Sequence, residues 1–508
     1  MCHFSITISI IIWCIQGVLF AQNITKGPYL ANPAETSISI RWETDQMVDG
    51  WVYYELDKTY SDSTNAILIG QKFSHYLYES NLKALQPGKK YQYRVKCENT
   101  YHSTSYFKTT PGKDEPIKFV AMGDSRSNPH IFKAVLDRVN DISPDLIISM
   151  GDLVENGGNY SQWEEFYFGV ASEVINHIPL LSTLGDHEGD GDNGELFRYF
   201  LYPDQDVNNL WFSFDYGPAH FVSLDYRHPY NEKMIELFKN DISHSQAKWK
   251  FVYYHRPSYN LGGHRSVWGK DTWPKLFRKY QVDIVFAGHS HMFERFYPIR
   301  PSSQPESWPV TYITTAGAGA GLYDITKHPF LAMTESVNHF SYIQIQDDEL
   351  QFTAFLNDGS ILDQFSISKH NGEYDSKYLN LVKPQEELDV LTMFASITSP
   401  TLNSIPLIDE PAKTTFELKS SEIASDINFM IKLAPNSENF YSMEPVSGTL
   451  KDGNIQRITL NIFSKGELII GSWGDIKPEL RIEASYRTDS VEEKITGSAI
   501  DYWPDNEY

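Results

Sequence analysis

Five short motifs, each directly after an apolar, strand-like run, constrain the fold of this chain most strongly. The motifs are Gly123-Asp124, Gly151-Asp152, Gly185-Asp186-His187-Glu188, His255 and Gly288-His289-Ser290-His291. Between the runs lie helical patterns, such as the one from Pro129 to about Asn140, and this alternation predicts a layered α/β domain over residues 115–370. Because α/β sheets bind ligands beyond the carboxyl ends of their strands, the five motifs are expected to meet at one sheet edge.

The residue types at these strand ends indicate a metal site. Carboxylate oxygens and imidazole nitrogens together suit Mn, Fe or Zn, and a glycine before the ligand allows the sharp turn that points it into a cleft. A single Gly-Asp after a strand is usually a helix cap, and a single histidine is usually structural. Neither explanation accounts for five such motifs, each at the end of a strand-like run.

Two further segments have the alternating pattern of β-strands. In residues 22–114, Trp42 precedes a Leu85-Gln86-Pro87-Gly88 turn that is followed by Tyr91 and Tyr93, which resembles a fibronectin type III module used as a scaffold or docking surface. Residues 391–508 predict an Ig-like β-sandwich, either for glycan or surface attachment or as a structural appendage. The charged stretch between them and the α/β domain, residues 371–390, predicts a linker or an edge strand with a loop.

The amino terminus indicates export. Residues 5–20 form an apolar run that ends at Ala21, and this run is too short for a comfortable membrane span. It predicts a signal peptide over residues 1–21 and a secreted or periplasmic protein that is not membrane-bound after cleavage; the alternative is an N-terminal membrane anchor. Cleavage leaves Cys97 as the one cysteine of the three, so no intramolecular disulfide is expected.

The charge balance restricts the partners. The formal net charge is −23, which repels nucleic-acid backbones and anionic membranes. We therefore expect no nucleic-acid binding, and a phosphorylated substrate would need local cations at its site. The sequence predicts no oligomeric state.

The ordered motif set resembles the calcineurin-like metallophosphoesterases, and further residues narrow the resemblance to the purple acid phosphatase branch. These residues are Gly27-Pro28-Tyr29-Leu30, Phe293-Glu294-Arg295 after the His-x-His pair, the run from Tyr312 to Gly321, and His264 nine residues after His255. The resemblance covers about Lys26 to Ser368. It implies a fibronectin-like domain followed by a four-layer α/β/β/α domain with a two-metal centre.

Matched position by position, the resemblance implies a role for each motif residue. Asp124, Asp152 and His291 would hold the first metal, and Asp152 would bridge to a second metal completed by Asp186, His255 and His289. His187 would be the general acid for the leaving oxygen, and His264 would line the phosphate pocket. Two divalent ions (Fe, Mn or Zn) would activate a bridging water as the nucleophile.

Three positions depart from the family pattern. Glu155 stands where purple acid phosphatases have the tyrosine that gives their colour, so a colourless protein is expected; Glu155 either ligates metal or faces solvent. Asp186 replaces an asparagine, which adds negative charge. Arg126 stands where many non-purple relatives have a histidine ligand, and it is expected either to bind the substrate phosphate or to form a surface salt bridge.

The resulting hypothesis is a metal-dependent hydrolase of phosphate monoesters, acting on a phosphorylated small molecule or glycan. Two alternatives stay open. The first is a phosphodiesterase or nucleotide phosphohydrolase on the same site. The second is a non-catalytic surface-binding protein whose metal site has decayed.

Overall fold

A computed structural model describes residues 24–385 apart from 57–59 and 265, together with Leu388 and separate segments between residues 412 and 500. The predicted signal peptide, residues 1–21, lies outside the described residues. Within the described parts of the chain, every helix falls short of the length and apolarity that a membrane span requires.

The first described domain is a β-sandwich, as the alternating pattern predicts. Its core contains Trp42, Tyr93, Val95 and Phe107. Tyr93 and Val95 alternate with more exposed residues on their strand, whereas the strand of Trp42 is buried throughout. One sheet pairs, in spatial order, Ile24–Ala31, Ile38–Thr44, His75–Leu82 and Ile67–Lys72. The other sheet pairs Asp62–Asn65, Gly50–Glu55, Lys90–Cys97 and Thr100–Lys108. The finer likeness to fibronectin type III stays a prediction.

Two seven-stranded mixed sheets form the centre of the α/β domain. The first has the order Leu180–Ser182, Leu146–Ser149, Ile117–Met122, His339–Gln346, Glu349–Leu356, Ile361–His370 and Glu373–Tyr374. The second has the order Phe212–Tyr216, Ala219–Ser223, Trp249–Tyr254, Ile284–Ala287, Thr311–Thr315, Phe293–Phe296 and Leu331–Glu335. Phe119 of the first sheet contacts Phe221 and Phe251 of the second, with both pairs of ring centroids 5.1 Å apart, so the sheets pack face to face.

Helices cover the outer faces of these sheets and complete the α/β/β/α layers. The helix Pro129–Ile142 begins after the Asn128 cap and buries Phe132, Val135, Leu136 and Val139, which lie on one face at three- and four-residue spacing. The other helical segments of the domain are Tyr160–Gln162, the π-helix Trp163–Phe168, Gly169–Ile175, Asp186–Gly189, Glu195–Leu201, Glu232–His244, Trp273–Lys279 and Ser376–Leu379.

The parallel strands explain how the motifs converge. Ile117–Met122, Leu146–Ser149 and Leu180–Ser182 run parallel in one sheet, and Trp249–Tyr254 and Ile284–Ala287 run parallel in the other. All five end at the same edge of the packed sheets, and each predicted motif follows one of them.

The N-terminal sandwich is fixed to the α/β domain by buried hydrogen bonds. The Tyr29 hydroxyl donates to the carbonyl of Phe200 at 2.7 Å, and Arg41 Nη1 donates to the carbonyl of Leu201 at 2.7 Å. The Tyr93 hydroxyl donates to the carbonyl of Asn176 at 2.6 Å.

Part of the predicted linker belongs to the α/β domain. Glu373–Tyr374 pairs with the edge of Ile361–His370, and Lys383–Pro384 pairs with Ile299–Arg300. Tyr374 and Tyr378 are buried in the core, so residues 373–384 match the edge-strand alternative rather than a free linker.

Farther along the chain, the described strands form two antiparallel sheets. These strands are Ala412–Lys419, Ile427–Leu433, Tyr441–Glu444, Ser447–Leu450, Ile455–Ile462, Leu480–Arg487 and Glu492–Ile500. The Ig-like assignment of this segment stays a prediction.

One buried histidine on the second sheet, paired with two carboxylates, makes stability depend on pH. His220 contacts Asp215 at 2.7 Å through Nδ1 and Asp241 at 2.9 Å through Nε2. Burial lowers the pKa of His220, but hydrogen bonds to the two carboxylates outweigh this and raise it to about 9. The stabilisation is therefore complete below the unfolded-state pKa of about 6.5 and is lost as the pH rises through about 9.

Replacing His220 with glutamine should lower the free energy of unfolding by about 1–2 kcal/mol at pH 6 and by much less at pH 9.5. The measurement is thermal unfolding of chelator-treated protein at both pH values. His228→Gln, at an exposed position, is the control and should show no pH-dependent difference from the unmodified protein. An equal loss at both pH values would contradict the charged state of His220.

Candidate metal centre

The backbone turns sharply at the strand ends that carry the predicted ligands. Asp124, Asp152 and His289 have φ values of 59°, 57° and 71°, in the left-handed region that non-glycine residues rarely adopt. Such conformations are concentrated at functional sites, where the surrounding structure over-determines them. Here they turn the three side chains back into the space between the strand ends.

The side chains form two overlapping clusters with ligand-like spacing. One contains Asp186, His255 and His289, and the other contains Asp124, Asp152 and His255. His255 Nε2 lies 3.4 Å from Asp152 Oδ1 and 3.5 Å from Asp186 Oδ1, and His289 Nδ1 lies 3.1 Å from Asp186 Oδ2. His255 therefore stands between the two clusters.

His291 lies beside Asp124 but outside the two clusters. Its Nε2 lies 3.4 Å from Asp124 Oδ1, yet among the described residues it belongs to neither cluster. The structure thus brings Asp186, His255 and His289 together as predicted, whereas the first set, Asp124, Asp152 and His291, is less closely gathered.

The histidine tautomers fit metal binding. His255 Nδ1–H donates to the Met150 carbonyl at 2.7 Å, so in the neutral ring Nε2 is the nitrogen that offers a lone pair to a metal. That Nε2 is buried and has no hydrogen-bond partner among the described residues, a condition that a bound cation would relieve. His291 Nδ1–H donates to the Gly321 carbonyl at 2.7 Å, which likewise directs its Nε2 lone pair towards Asp124. The donor set therefore suits a divalent ion of the Mn, Fe or Zn type.

Electrostatics of the cluster favour a cation. Burial raises the pKa of Asp186, but His255, His289 and Arg256 outweigh it and hold that pKa well below the usual range. Burial lowers the pKa of His255, but Asp152, Asp186 and Asp124 raise it to about 9. In the absence of an ion, a proton on His255 offsets the carboxylates, and a metal would displace that proton.

His187 lies beside the clusters with one ring nitrogen directed towards them. Its Nδ1–H donates to the Glu155 carbonyl at 2.6 Å, and its Nε2 is 4.0 Å from Asp152 Oδ2. The side chain is 28% exposed, so Nε2 can exchange protons with a bound molecule or with solvent. This orientation suits a general acid.

The remaining predicted residues surround the clusters in different ways. His264 is exposed and stacks on His289, with ring centroids 4.3 Å apart. Arg126 contacts Asp152, Glu155 and Ser127, so most of its donors are engaged by the protein rather than directed outwards. Arg256 Nε donates to both Asp186 oxygens, at 3.0 and 3.1 Å.

Sequence reasoning assigned no role to two residues of the site. Tyr323 stacks flat on His291, with centroids 4.4 Å apart, and its position in a loop after a glycine-rich run gave no signal. Glu188 is fully buried and accepts four backbone N–H groups, from Asp152, Leu153, Val154 and Gly185, at 2.6–3.2 Å. Its place in the third motif could have indicated this role, because a buried carboxylate next to turning loops needs several donors.

Replacing Glu188 with glutamine should weaken metal binding roughly 10- to 100-fold, because an amide N–H₂ group would face backbone donors and shift the loops of Asp152 and Asp186. The measurement is competition for Zn²⁺ with a chromophoric chelator. Glu195→Gln, in a half-exposed helical position, is the matched control and should bind as the unmodified protein does. Unchanged affinity in Glu188→Gln would show that Glu188 does not position the ligands.

Comparison with known proteins agrees with the fold. Residues 117–293 match the calcineurin-like phosphoesterase family model, and residues 26–110 match that of the purple acid phosphatase N-terminal domain. A purple acid phosphatase from yellow lupin seeds has the same fold, with a TM-score of 0.60 and 19% identity over 75% of this chain and 78% of that one.

Two curated relatives differ in what their names say of activity. "Probable inactive purple acid phosphatase 24" of Arabidopsis thaliana is 25% identical over 287 residues, 46% of this chain and 46% of that protein. "Nucleotide pyrophosphatase/phosphodiesterase" of Hordeum vulgare is 25% identical over 269 residues, 46% of this chain and 71% of that protein. The chain spans about half the length of the first curated relatives it matches.

Proposed function

We propose that this chain, which carries a calcineurin-like metallophosphoesterase domain behind a purple acid phosphatase N-terminal domain, is a metal-dependent hydrolase of phosphate monoesters. The observation that supports it is the pair of overlapping clusters that share His255, whose buried Nε2 has no hydrogen-bond partner among the described residues. A purely structural cluster would satisfy that nitrogen with a hydrogen bond.

The proposed reaction assigns a role to each residue of the site. Asp152, Asp186, His255 and His289 would hold the metal, with Asp124 and His291 on the side of a second ion. Two divalent ions there would lower the pKa of a water molecule between them and neutralise the charge of the phosphate oxygens. His187, held by the Glu155 carbonyl, would donate the Nε2 proton to the leaving oxygen.

The charge of the protein and the exposure of the site limit the class of substrate. The protein as a whole is strongly acidic, so attraction of a phosphate depends on local cations. Arg256 and the exposed His264 are such groups at the rim of the site. Small phosphorylated molecules or phosphorylated glycans can approach there, and the predicted export of the chain would place the reaction outside the cytoplasm.

Two other functions each have a specific observation in their favour. The similarity to the barley nucleotide pyrophosphatase/phosphodiesterase favours a diesterase or nucleotide phosphohydrolase on the same site. The similarity to a probable inactive phosphatase, together with the departures at Glu155 and Asp186, favours a binding protein without activity.

The test is hydrolysis of nitrophenyl phosphate and of bis-nitrophenyl phosphate, side by side, by protein loaded with Mn²⁺, Fe²⁺ or Zn²⁺. We expect faster turnover of the monoester, lost on chelation and restored by metal. Preference for the diester would establish the second candidate. Absence of turnover with every metal, although metal is bound, would establish the non-catalytic alternative.

A further inference from the structure

Arg126 reaches into the space that a first metal would need. Its side chain is only 13% exposed, and its Nε lies 3.2 Å from Asp152 Oδ2. Its Nη2 lies 3.4 Å from His291 Nε2, the nitrogen that would bind the metal. The guanidinium thus stands between two of the three residues expected to hold the first ion.

Glu155 fixes Arg126 in that position. Arg126 Nη1 donates to Glu155 Oε2 at 2.9 Å and to Ser127 Oγ at 3.1 Å, and the Arg126 backbone N–H donates to the Asp152 carbonyl at 3.1 Å. The guanidinium of an arginine stays charged in proteins. Glu155 therefore binds a cationic side chain at the position where the family pattern has a metal-ligating tyrosine.

In the other cluster, the histidine nitrogens face carboxylate oxygens. His255 Nε2 lies 3.4 Å from Asp152 Oδ1, and His289 Nδ1 lies 3.1 Å from Asp186 Oδ2. Arg256 Nε donates to both oxygens of Asp186, at 3.0 and 3.1 Å. A cation entering beside His291 would meet a fixed positive charge at close range, which opposes binding.

We propose that Arg126, held by Glu155, occupies the first metal position, so that the two positions of the centre are unequal. The Asp186, His255 and His289 position, with Asp152, fills first and tightly. The Asp124, Asp152 and His291 position fills only when the guanidinium moves out. This inference rests on the proposed function because it assumes that the clusters bind metal.

The experiment counts bound metal rather than turnover. Chelator-treated protein is titrated with Zn²⁺ and Mn²⁺ by calorimetry, and retained metal is measured by elemental analysis after desalting. The unmodified protein should retain one equivalent and bind a second roughly 100-fold more weakly. Arg126→Ala should retain two equivalents of metal. Glu155→Gln frees the guanidinium from Glu155, so it should also increase the affinity for the second equivalent.

Arg256→Ala is the matched control, since it removes an arginine from the other cluster and the same unit of charge. The second equivalent of metal should still bind weakly to Arg256→Ala. That result would show that Arg126 acts by occupying the first metal position and not through its charge alone. Two equally tight equivalents in the unmodified protein, unchanged in Arg126→Ala and Glu155→Gln, would overturn the inference and leave the proposed function standing. No tight metal in any of the proteins would overturn both.

Discussion

Asp152→Asn should eliminate phosphoester hydrolysis almost completely and weaken metal binding throughout the centre. Asp152 Oδ1 faces His255 Nε2 at 3.4 Å, while its Oδ2 accepts a hydrogen bond from Arg126. An asparagine has the same shape but only one oxygen and no charge, so it cannot provide an oxygen ligand to both metal positions. Loss of metal-derived charge stabilisation of several kcal/mol corresponds to a fall in kcat/KM of roughly 10³-fold or more.

The measurement is kcat/KM for nitrophenyl phosphate at saturating metal, together with metal content by elemental analysis. Asp145→Asn is the control, because Asp145 precedes the strand Leu146–Ser149 at its opposite end and binds Lys108 and the Lys118 backbone rather than the metal cluster. It should retain both activity and metal. Full metal content and activity in Asp152→Asn would remove Asp152 from the centre.

The convergence of the motifs could be predicted from the sequence because it depends on chain topology alone. Once the strands before Asp124, Asp152 and Asp186 are parallel in one sheet, their carboxyl ends must lie at one edge. The same holds for the strands before His255 and His289 in the second sheet. The face-to-face packing of the sheets was implied by family resemblance, and the Phe119 contacts show it directly.

What the sequence did not predict are side-chain directions and loop contacts. Arg126 was expected either to bind the substrate phosphate or to form a surface salt bridge, but its direction is set by Glu155 and Asp152, which become its neighbours only after folding. The stacking of Tyr323 on His291 depends on how a glycine-rich loop returns to the site. Neither contact has a periodicity or a local signal, because both join loops far apart in the chain.

The edge strand after residue 370 was difficult to predict for a related reason. Charged residues in that stretch are typical of a linker, whereas Tyr374, Tyr378 and Leu388 are buried in the core. Two aromatic side chains in a polar segment give too weak a pattern to distinguish a short edge strand from a connector. Pairing with an existing sheet edge stabilises such a strand even though its own sequence does not favour it.

The loss of activity on replacing His187 should increase with the basicity of the leaving group. Its Nδ1–H is held by the Glu155 carbonyl, which leaves Nε2 facing the site, so a ring that is also protonated at Nε2 would direct that proton to the leaving oxygen. For an alkyl phosphate, whose alkoxide is strongly basic, His187→Ala should lower kcat roughly 10²- to 10⁴-fold. For nitrophenyl phosphate, whose phenolate leaves without a proton, the loss should be small, and metal content should stay unchanged because His187 belongs to neither metal cluster of the described residues.

The comparison with His264→Ala separates acid catalysis from binding. His264 stacks on His289 at the exposed side of the site, so its removal should raise KM for both esters by a similar factor and leave their ratio of kcat values unchanged. The measurement is kcat and KM for alkyl and nitrophenyl phosphates with both variants. An equal loss of kcat for both esters in His187→Ala would mean that His187 orients the phosphate or the Asp152 loop instead, since only proton donation to the leaving oxygen makes the loss depend on leaving-group basicity.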